Sequence, residues 1–123
     1  MFVRSLDDCD EFVAGDGSLL RELLHPDKAG LDIRYSLAHA RVTPGQTTKR
    51  HRLTTSEVYY IIEGAGTMVI DEKSRPVGPG CAIYIRPGAV QSIANTGAAD
   101  LVFICLVDPA WQVEDEEILS IDD

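Results

Sequence analysis

His51 and Glu57 are the two residues whose types and spacing most clearly suggest metal chemistry. They lie within residues 45–64, a stretch that begins and ends with glycine. An imidazole nitrogen and a carboxylate oxygen are both good ligands for first-row divalent metals. The pair leaves a second interpretation open, in which His51 and Glu57 interact by hydrogen bond or charge in a pocket that holds no metal.

His51 also stands within a basic run, KRHR at residues 49–52, in an otherwise acidic chain. If this run is extended, strand alternation places Lys49 on the same side as His51. An anionic ligand would be attracted there. The alternative is that these long basic side chains only offset nearby acids on the rim of a pocket.

The net charge of −9 restricts the partners of this chain. A nucleic-acid backbone or an anionic membrane surface would be repelled at long range, so neither is expected as a partner. The 45% hydrophobic and 25% charged residues are ordinary for a globular protein, and 123 residues suffice to bury a core. We therefore expect a single domain over residues 1–123.

The cysteines predict a reducing compartment. Cys9, Cys81 and Cys105 are widely spaced and form no C-x-x-C pair, which argues against a disulfide framework and a cysteine zinc site. The first ten residues lack the apolar core of a secretory signal, and the longest apolar run, residues 101–107, is too short to cross a bilayer as a helix. A soluble, cytoplasmic protein is the expectation.

Short segments of alternating polarity recur along the chain and predict strands. Residues 31–43 predict a strand that ends before Pro44, because small or apolar residues at alternate positions between 36 and 42 face away from Leu37, His39 and Arg41. Further strands are predicted at residues 57–62, 67–71, 81–86, 91–95 and 100–107. Gly64 and Gly66 predict a β-hairpin turn between the first two of these. Many short strands at regular spacing are typical of an all-β sandwich or barrel.

Three segments are less regular. Residues 1–16 are expected to form an N-terminal arm or edge strand. Residues 18–24, SLLRELL, have the local propensity for one or two helical turns that begin at Ser18 and stop before Pro26. The acidic tail, residues 108–123, predicts a short turn or helix with a solvated face, and its Trp111 is expected to pack on the core or at a subunit interface.

Residues 45–64 resemble the first motif of the cupin superfamily, G-x5-H-x-H-x3-E-x6-G. Gly45, His51, Glu57 and Gly64 match its marked positions. Leu53 stands where the motif has its second histidine, and a leucine side chain has no lone pair to give a metal.

Residues 80–95 resemble the second cupin motif, G-x5-P-x-G-x2-H-x3-N. Gly80, Gly88 and Asn95 match, whereas Arg86 replaces the proline and Gln91 replaces the last metal-binding histidine. The resemblance also covers the connecting segments between residue 17 and about residue 119.

The resemblance implies an all-β double-stranded β-helix, which is the cupin or jelly-roll barrel, with a strand rather than a helix at residues 18–24. It implies that the two motifs face each other across the barrel. Carried over by position, the metal ligands are His51, Glu57 and Gln91. The cofactor would be one divalent metal ion, either Fe, Mn, Ni, Cu or Zn, and a metal-free pocket is the alternative.

The resemblance further implies a small carboxylated or hydroxylated ligand and chemistry of the isomerase, lyase or dioxygenase type. The alternative is a binding or sensing module without turnover. A homodimer is also implied, since the N-terminal arm is long enough to reach a partner.

Five residues are candidates for substrate binding. Tyr59 shares the strand parity of Glu57 and so could reach the pocket. Arg86 could clamp a carboxylate or phosphate with its planar guanidinium, or face outward. Lys49 is the third, and His39 and Arg41 are the others, although the small apolar opposite face of their strand turns both toward the other surface of the sheet.

Overall fold

The structure is a computed structural model that describes residues 1–119. Eleven strands account for nearly half of this part of the chain. They are β1 (Phe12–Val13), β2 (Leu19–Leu24), β3 (Ser36–Val42), β4 (His51–Leu53), β5 (Ser56–Glu63), β6 (Gly66–Ile70), β7 (Lys73–Val77), β8 (Ala82–Ile85), β9 (Gln91–Asn95), β10 (Leu101–Asp108) and β11 (Glu116–Ile118). One short helix, α1 (Pro26–Ala29), and two 3₁₀ turns, Leu6–Asp8 and Val113–Asp115, complete the described elements.

The strands form two antiparallel sheets that face each other. One sheet has six strands in the order β1-β2-β3-β10-β5-β8, and the other has five in the order β11-β4-β9-β6-β7. The prediction of an all-β barrel is therefore confirmed. No helix in the described part of the chain is long and apolar enough to span a membrane.

Strict alternation along the strands creates the core between the sheets. In β10, the buried residues Leu101, Phe103, Cys105 and Val107 alternate with half-buried ones. Its neighbours follow the same parity, so the core is apolar where the inner faces meet. Leu19–Leu24 is a strand, as the resemblance implied, because pairing with β3 outweighs the helix propensity of so short a segment.

The predicted hairpin around Gly64 is wrong. β5 pairs with β10 and β8, whereas β6 pairs with β7 and β9, so the turn crosses from one sheet to the other. The glycine is needed for this crossing, because φ of Gly64 is +88° and an added Cβ would lie 2.6 Å from the backbone oxygen of Asp100. The hairpin partner of β6 is β7, which the sequence analysis did not predict.

Candidate functional site

A cavity of about 160 Å³ lies between the two sheets, on the side where β2 and β3 approach β4 and β11. The inner faces of β3, β5 and β10 supply its apolar wall, and the turn after β1 and the start of β11 close it. Its polar lining consists mainly of Asp16, Ser18, Glu22, Lys28, Ser36, His51, Glu57, Tyr59 and Glu116. Two of the three predicted metal ligands, His51 and Glu57, thus line one cavity.

The third predicted ligand, Gln91, joins Glu57 to Tyr59 by hydrogen bonds across the sheets. The Tyr59 hydroxyl donates to Oε1 of Gln91 at 2.9 Å, and Nε2 of Gln91 donates to Oε1 of Glu57 at 2.8 Å. Glu57 and Tyr59 share the inner face of β5, and Gln91 begins β9 in the opposite sheet. All three side chains are buried, so this chain of hydrogen bonds orients the Glu57 carboxyl within the cavity.

His51 is held by the backbone that precedes it. Its Nδ1 donates to the Lys49 carbonyl oxygen at 2.8 Å. A carbonyl oxygen can only accept, so in the neutral ring Nδ1 carries the proton and Nε2 keeps its lone pair. Nε2 lies 3.7 Å from Oδ2 of Asp16, whose other oxygen accepts from the Ser18 backbone N–H and hydroxyl. The basic nitrogen of His51 is therefore turned toward the cavity.

Burial raises the pKa of Glu57 to about 8. The hydrogen bond from Gln91 lowers this pKa, but desolvation is the larger effect, and the nearby Asp16 and Glu116 carboxylates raise it further. Burial also raises the pKa values of Tyr59 and Cys105 well above their usual range. At neutral pH the cavity floor thus presents a carboxylic acid, a phenol and a thiol, all uncharged.

The arrangement does not fit the metal that the resemblance implies. The carbonyl oxygen of Gln91 accepts from the Tyr59 hydroxyl, and the amide N–H₂ group of Gln91 faces Glu57, so Gln91 presents a donor rather than its oxygen toward the Glu57 carboxyl. Within residues 1–119, no three His, Cys, Asp or Glu side chains are placed to hold a metal ion. Leu53, on the same face of β4 as His51, is buried and adds no donor atom.

Four of the five substrate-binding candidates lie outside the cavity, and Tyr59 lies in it. Arg41 donates to Glu11 at 2.7 Å and to Asp100 at 3.1 Å, and Arg86 donates to Asp71 at 2.7 Å. His39 is half-buried on the outer face of the six-stranded sheet, as its strand parity predicted. Lys49 precedes β4 rather than belonging to it, so strand alternation does not hold there, and its side chain is exposed.

Sequence reasoning missed the residues that distant segments bring to the cavity. Asp16 and Ser18 come from the turn between β1 and β2, and Glu116 begins β11. Glu116 accepts a hydrogen bond at 3.2 Å from the indole N–H of Trp111, which also lines the cavity. Trp111 was the one available signal, because a lone tryptophan beyond the last predicted strand is expected to pack against other residues rather than remain exposed.

Comparison with known proteins agrees with this geometry. The Cupin domain family model matches residues 38–107. An uncharacterized protein of Methanocaldococcus jannaschii is 40% identical over 110 residues, which cover 89% of this chain and 87% of that protein. An oxalate-binding protein of Thermotoga maritima is 31% identical over 90 residues, 72% of this chain and 69% of that protein.

The fold is also that of a solved Streptomyces structure, Pac13, which is described as a unique nucleoside dehydratase. It superposes with a TM-score of 0.79, covers 97% of this chain and 91% of its own, and is 17% identical. The family model spans more than half of the sequence, and both motifs lie within the matched residues. The barrel fold is also shared with the solved structure. The chain belongs to the cupin family.

Proposed function

We propose that this chain binds a small, uncharged, hydroxylated molecule in the 160 Å³ cavity and that Glu57 and His51 act on it as an acid–base pair. The observation that carries the proposal is that both side chains line one cavity and each is held from behind. Gln91 orients Glu57, and the Lys49 carbonyl orients His51. Proton transfer to a bound molecule requires such fixed donors and acceptors.

The size and charge of the cavity support this choice of ligand. Pockets for drug-sized molecules occupy roughly 300–1,000 Å³, so a smaller metabolite fits here. Four carboxyl groups line the cavity, from Asp16, Glu22, Glu57 and Glu116. Lys28 is the one lysine or arginine among the described lining residues, and it is already paired with Glu22 at 2.5 Å. A carboxylated ligand would therefore be repelled, whereas hydroxyl groups can donate to these acids.

The reaction we infer is elimination of water from, or isomerisation of, a hydroxy-carbonyl compound. Nε2 of His51 would accept the proton from the carbon next to the carbonyl, and the C–H electron pair would form a double bond. In the isomerisation, the carboxylic acid of Glu57 would give its proton to the carbonyl oxygen as the enediol forms. In the elimination, it would give that proton to the hydroxyl on the next carbon, which leaves as water with the electron pair of the broken C–O bond. A raised pKa keeps that proton in place near neutral pH. The same fold occurs in a protein described as a nucleoside dehydratase, so a barrel of this kind can house a dehydration.

The test uses dihydroxyacetone and glyceraldehyde as probes. In D₂O, proton NMR should show enzyme-dependent loss of the C–H signal next to the carbonyl as deuterium exchanges in. His51→Gln and Glu57→Gln should each slow this exchange by about 100-fold or more, since one general acid or base contributes typically 10²–10⁴-fold. Glu63→Gln, on the exposed end of β5, is the control and should exchange like the parent.

Calorimetric titration separates the alternatives. Binding of either probe without exchange would identify a ligand-binding or sensing module, the second function that the sequence analysis left open. If neither probe binds and no exchange occurs, the proposed ligand class is wrong. Because the donor set does not fit a metal, both proton transfers use protein side chains alone.

We also propose that two copies of the chain pair through the outer face of the six-stranded sheet. Tyr60 and Ile62 of β5 are exposed there by 50% and 41%, beside Ile104 of β10. Exposed apolar strips with an aromatic residue are typical of subunit interfaces.

We also propose that the protein works in a reducing compartment such as the cytoplasm. The free thiols of Cys9, Cys81 and Cys105 support this proposal.

A further inference from the structure

A second and larger cleft, of about 930 Å³, opens at the opposite side of the barrel from the cavity that holds Glu57. It lies between the edge strands β7 and β8, which belong to different sheets and end the two strand orders. None of its lining residues also lines the Glu57 cavity. Its floor is apolar, with Met68, Ile70, Val77 and Ile83. The volume lies within the roughly 300–1,000 Å³ of small-molecule sites.

Two cations without acidic partners project from the inner face of β7 toward this floor. Lys73 pairs in register with Ile70, and Arg75 pairs with Met68, so each basic side chain shares a face with an apolar residue that lines the cleft. Met68 belongs to the core, which identifies this face as the inner one. In the described structure neither Lys73 nor Arg75 makes an ion pair.

The acids around the cleft do not neutralise these two cations. Asp71 is bound by Arg86 at 2.7 Å and by the Val90 backbone N–H at 3.0 Å, and both interactions lower its pKa. Glu72, in the turn between β6 and β7, is the other acid in the lining. The lining therefore carries three cations and two carboxylates, a local excess of positive charge in a chain of net charge −9.

We propose that this cleft is a second binding site, for a small organic anion with an apolar body, such as an aromatic or aliphatic carboxylate or sulfonate. The apolar body would lie on Met68, Ile70 and Ile83, and the anionic head would meet Lys73 and Arg75. This ligand complements both features of the cleft, whereas the acidic Glu57 cavity excludes it. An added peptide strand suits the cleft less well, because Pro76 removes a backbone N–H from the β7 edge.

The test uses a matched pair of fluorescent probes. 1-Anilinonaphthalene-8-sulfonate has an apolar body with one anionic group, and N-phenyl-1-naphthylamine has the same body without the charge. We expect saturable binding of the sulfonate with one site per chain. The double variant Lys73→Gln/Arg75→Gln should weaken sulfonate binding about tenfold or more and leave the neutral probe within about twofold, since only the charge–charge attraction is lost.

A matched control removes two cations elsewhere. Arg4→Gln/Arg34→Gln changes the net charge equally, and neither residue lines the cleft, so sulfonate binding should stay within about twofold. Equal weakening in both double variants would mean that only net charge matters and would overturn the proposal. So would loss of the neutral probe in parallel with the sulfonate, because the cations would then be acting through the fold.

Cys81 reports the location of the bound probe. It lines the cleft and is exposed, whereas Cys105 is buried. In a Cys9→Ser background, saturating sulfonate should slow alkylation of Cys81 by iodoacetamide at least threefold. An unchanged rate would place the probe elsewhere and contradict the site. If the protein is oligomeric and Cys81 reacts only after dilution to monomer, the cleft is occupied by a second copy, which also contradicts it.

Discussion

At the scale of single residues, Glu57 is the side chain whose chemistry depends most on its surroundings. Free in solution, a glutamate is ionised at neutral pH. Here it is 6% exposed, its carboxyl meets an amide donor rather than a cation, and two further carboxylates lie nearby. The same residue type that the motif presents as a metal ligand is therefore, in this chain, a buried acid that keeps its proton.

This gives a prediction for stability against pH. The folded-state pKa of Glu57, about 8, lies above the unfolded value of about 4.5, so the folded state binds the extra proton between these pH values. Stability from this group is complete below pH 4.5 and is lost as pH rises to 8. Glu57→Gln is neutral at every pH and can still accept from Gln91. It should match the parent near pH 5 and exceed it at pH 8 by a few kcal/mol, on the order set by the shift.

Urea denaturation of both proteins at pH 5 and pH 8 measures this difference. Glu63→Gln provides the control, because it removes an exposed carboxyl from the same strand and should not change the pH dependence. If the difference in stability between the parent and Glu57→Gln were the same at pH 8 as at pH 5, Glu57 would ionise normally. The inferred acid role would then lose its basis.

The sequence predicted that His51, Glu57 and Gln91 belong to the site, but not which hydrogen bonds these side chains make. Motif spacing predicts which residues face the barrel interior, because strand parity is local. It cannot predict that the Gln91 oxygen is used by Tyr59, or that Asp16 and Glu116 raise the pKa of Glu57. Those contacts join segments that are far apart in the chain, and Asp16 and Glu116 read locally as ordinary solvated acids.

At the scale of elements, the motif glycines have different reasons for being glycine. Gly64 and Gly80 have nearly the same positive φ, +88° and +90°. An added Cβ at Gly80 would meet nothing within 4 Å, whereas at Gly64 it would lie 2.6 Å from the Asp100 oxygen and 2.8 Å from Cα of Leu101. Both positions carry the conformational cost of a left-handed residue, and only Gly64 carries a clash with backbone.

We therefore predict that Gly80→Ala destabilises the fold by about 1–2 kcal/mol, the usual cost of a left-handed alanine. Gly64→Ala should cost about 1–3 kcal/mol more, because the backbone of β10 has to move away. The free energies of unfolding in urea for the two variants and the parent give this difference directly. Equal losses would mean that the turn between β5 and β6 relaxes freely, contrary to its close packing on β10.

Elements with regular alternation could be predicted, and elements built by pairing could not. β3, β5, β9 and β10 follow a period of two, and their ends were predicted to within one residue, except that β3 begins at residue 36 rather than at residue 31. β7, with the sequence KSRPV, has charges and a proline and is a strand only because β6 pairs with it. β4 and β11 are three residues each and depend on each other in the same way. The Gly64 turn failed as a hairpin because local turn chemistry does not reveal which sheet the next strand joins.

At the scale of the whole molecule, the six-stranded sheet is apolar near its centre on both faces. Its inner face builds the core. On its outer face, Tyr60 of β5 lies opposite Ile104 of β10, with Ile62 two residues further along β5. A chain of net charge −9 repels its own copies at long range. Association of two copies therefore has to be driven by apolar contact between these exposed side chains.

The last prediction concerns that association. If two copies pair through this face, a two-fold axis brings Tyr60 of each copy close to the apolar strip of the other, and its replacement by a charge acts twice in one interface. Tyr60→Arg should raise the dimer dissociation constant by about 100-fold or more, in the range of a central aromatic anchor. Light scattering from about 1 to about 100 μM, a range that brackets the affinities of ordinary specific interfaces, should show a dimer for the parent and a monomer for Tyr60→Arg.

Val113→Arg is the control, because it places the same charge on another exposed apolar residue. Val113 is 71% exposed and lies outside both sheets, so this variant should leave the dimer intact. A parent that is monomeric throughout this range, or equal dissociation of both variants, would mean that the outer face does not pair copies of this chain, and the apolar strip around Tyr60 would then need a different partner.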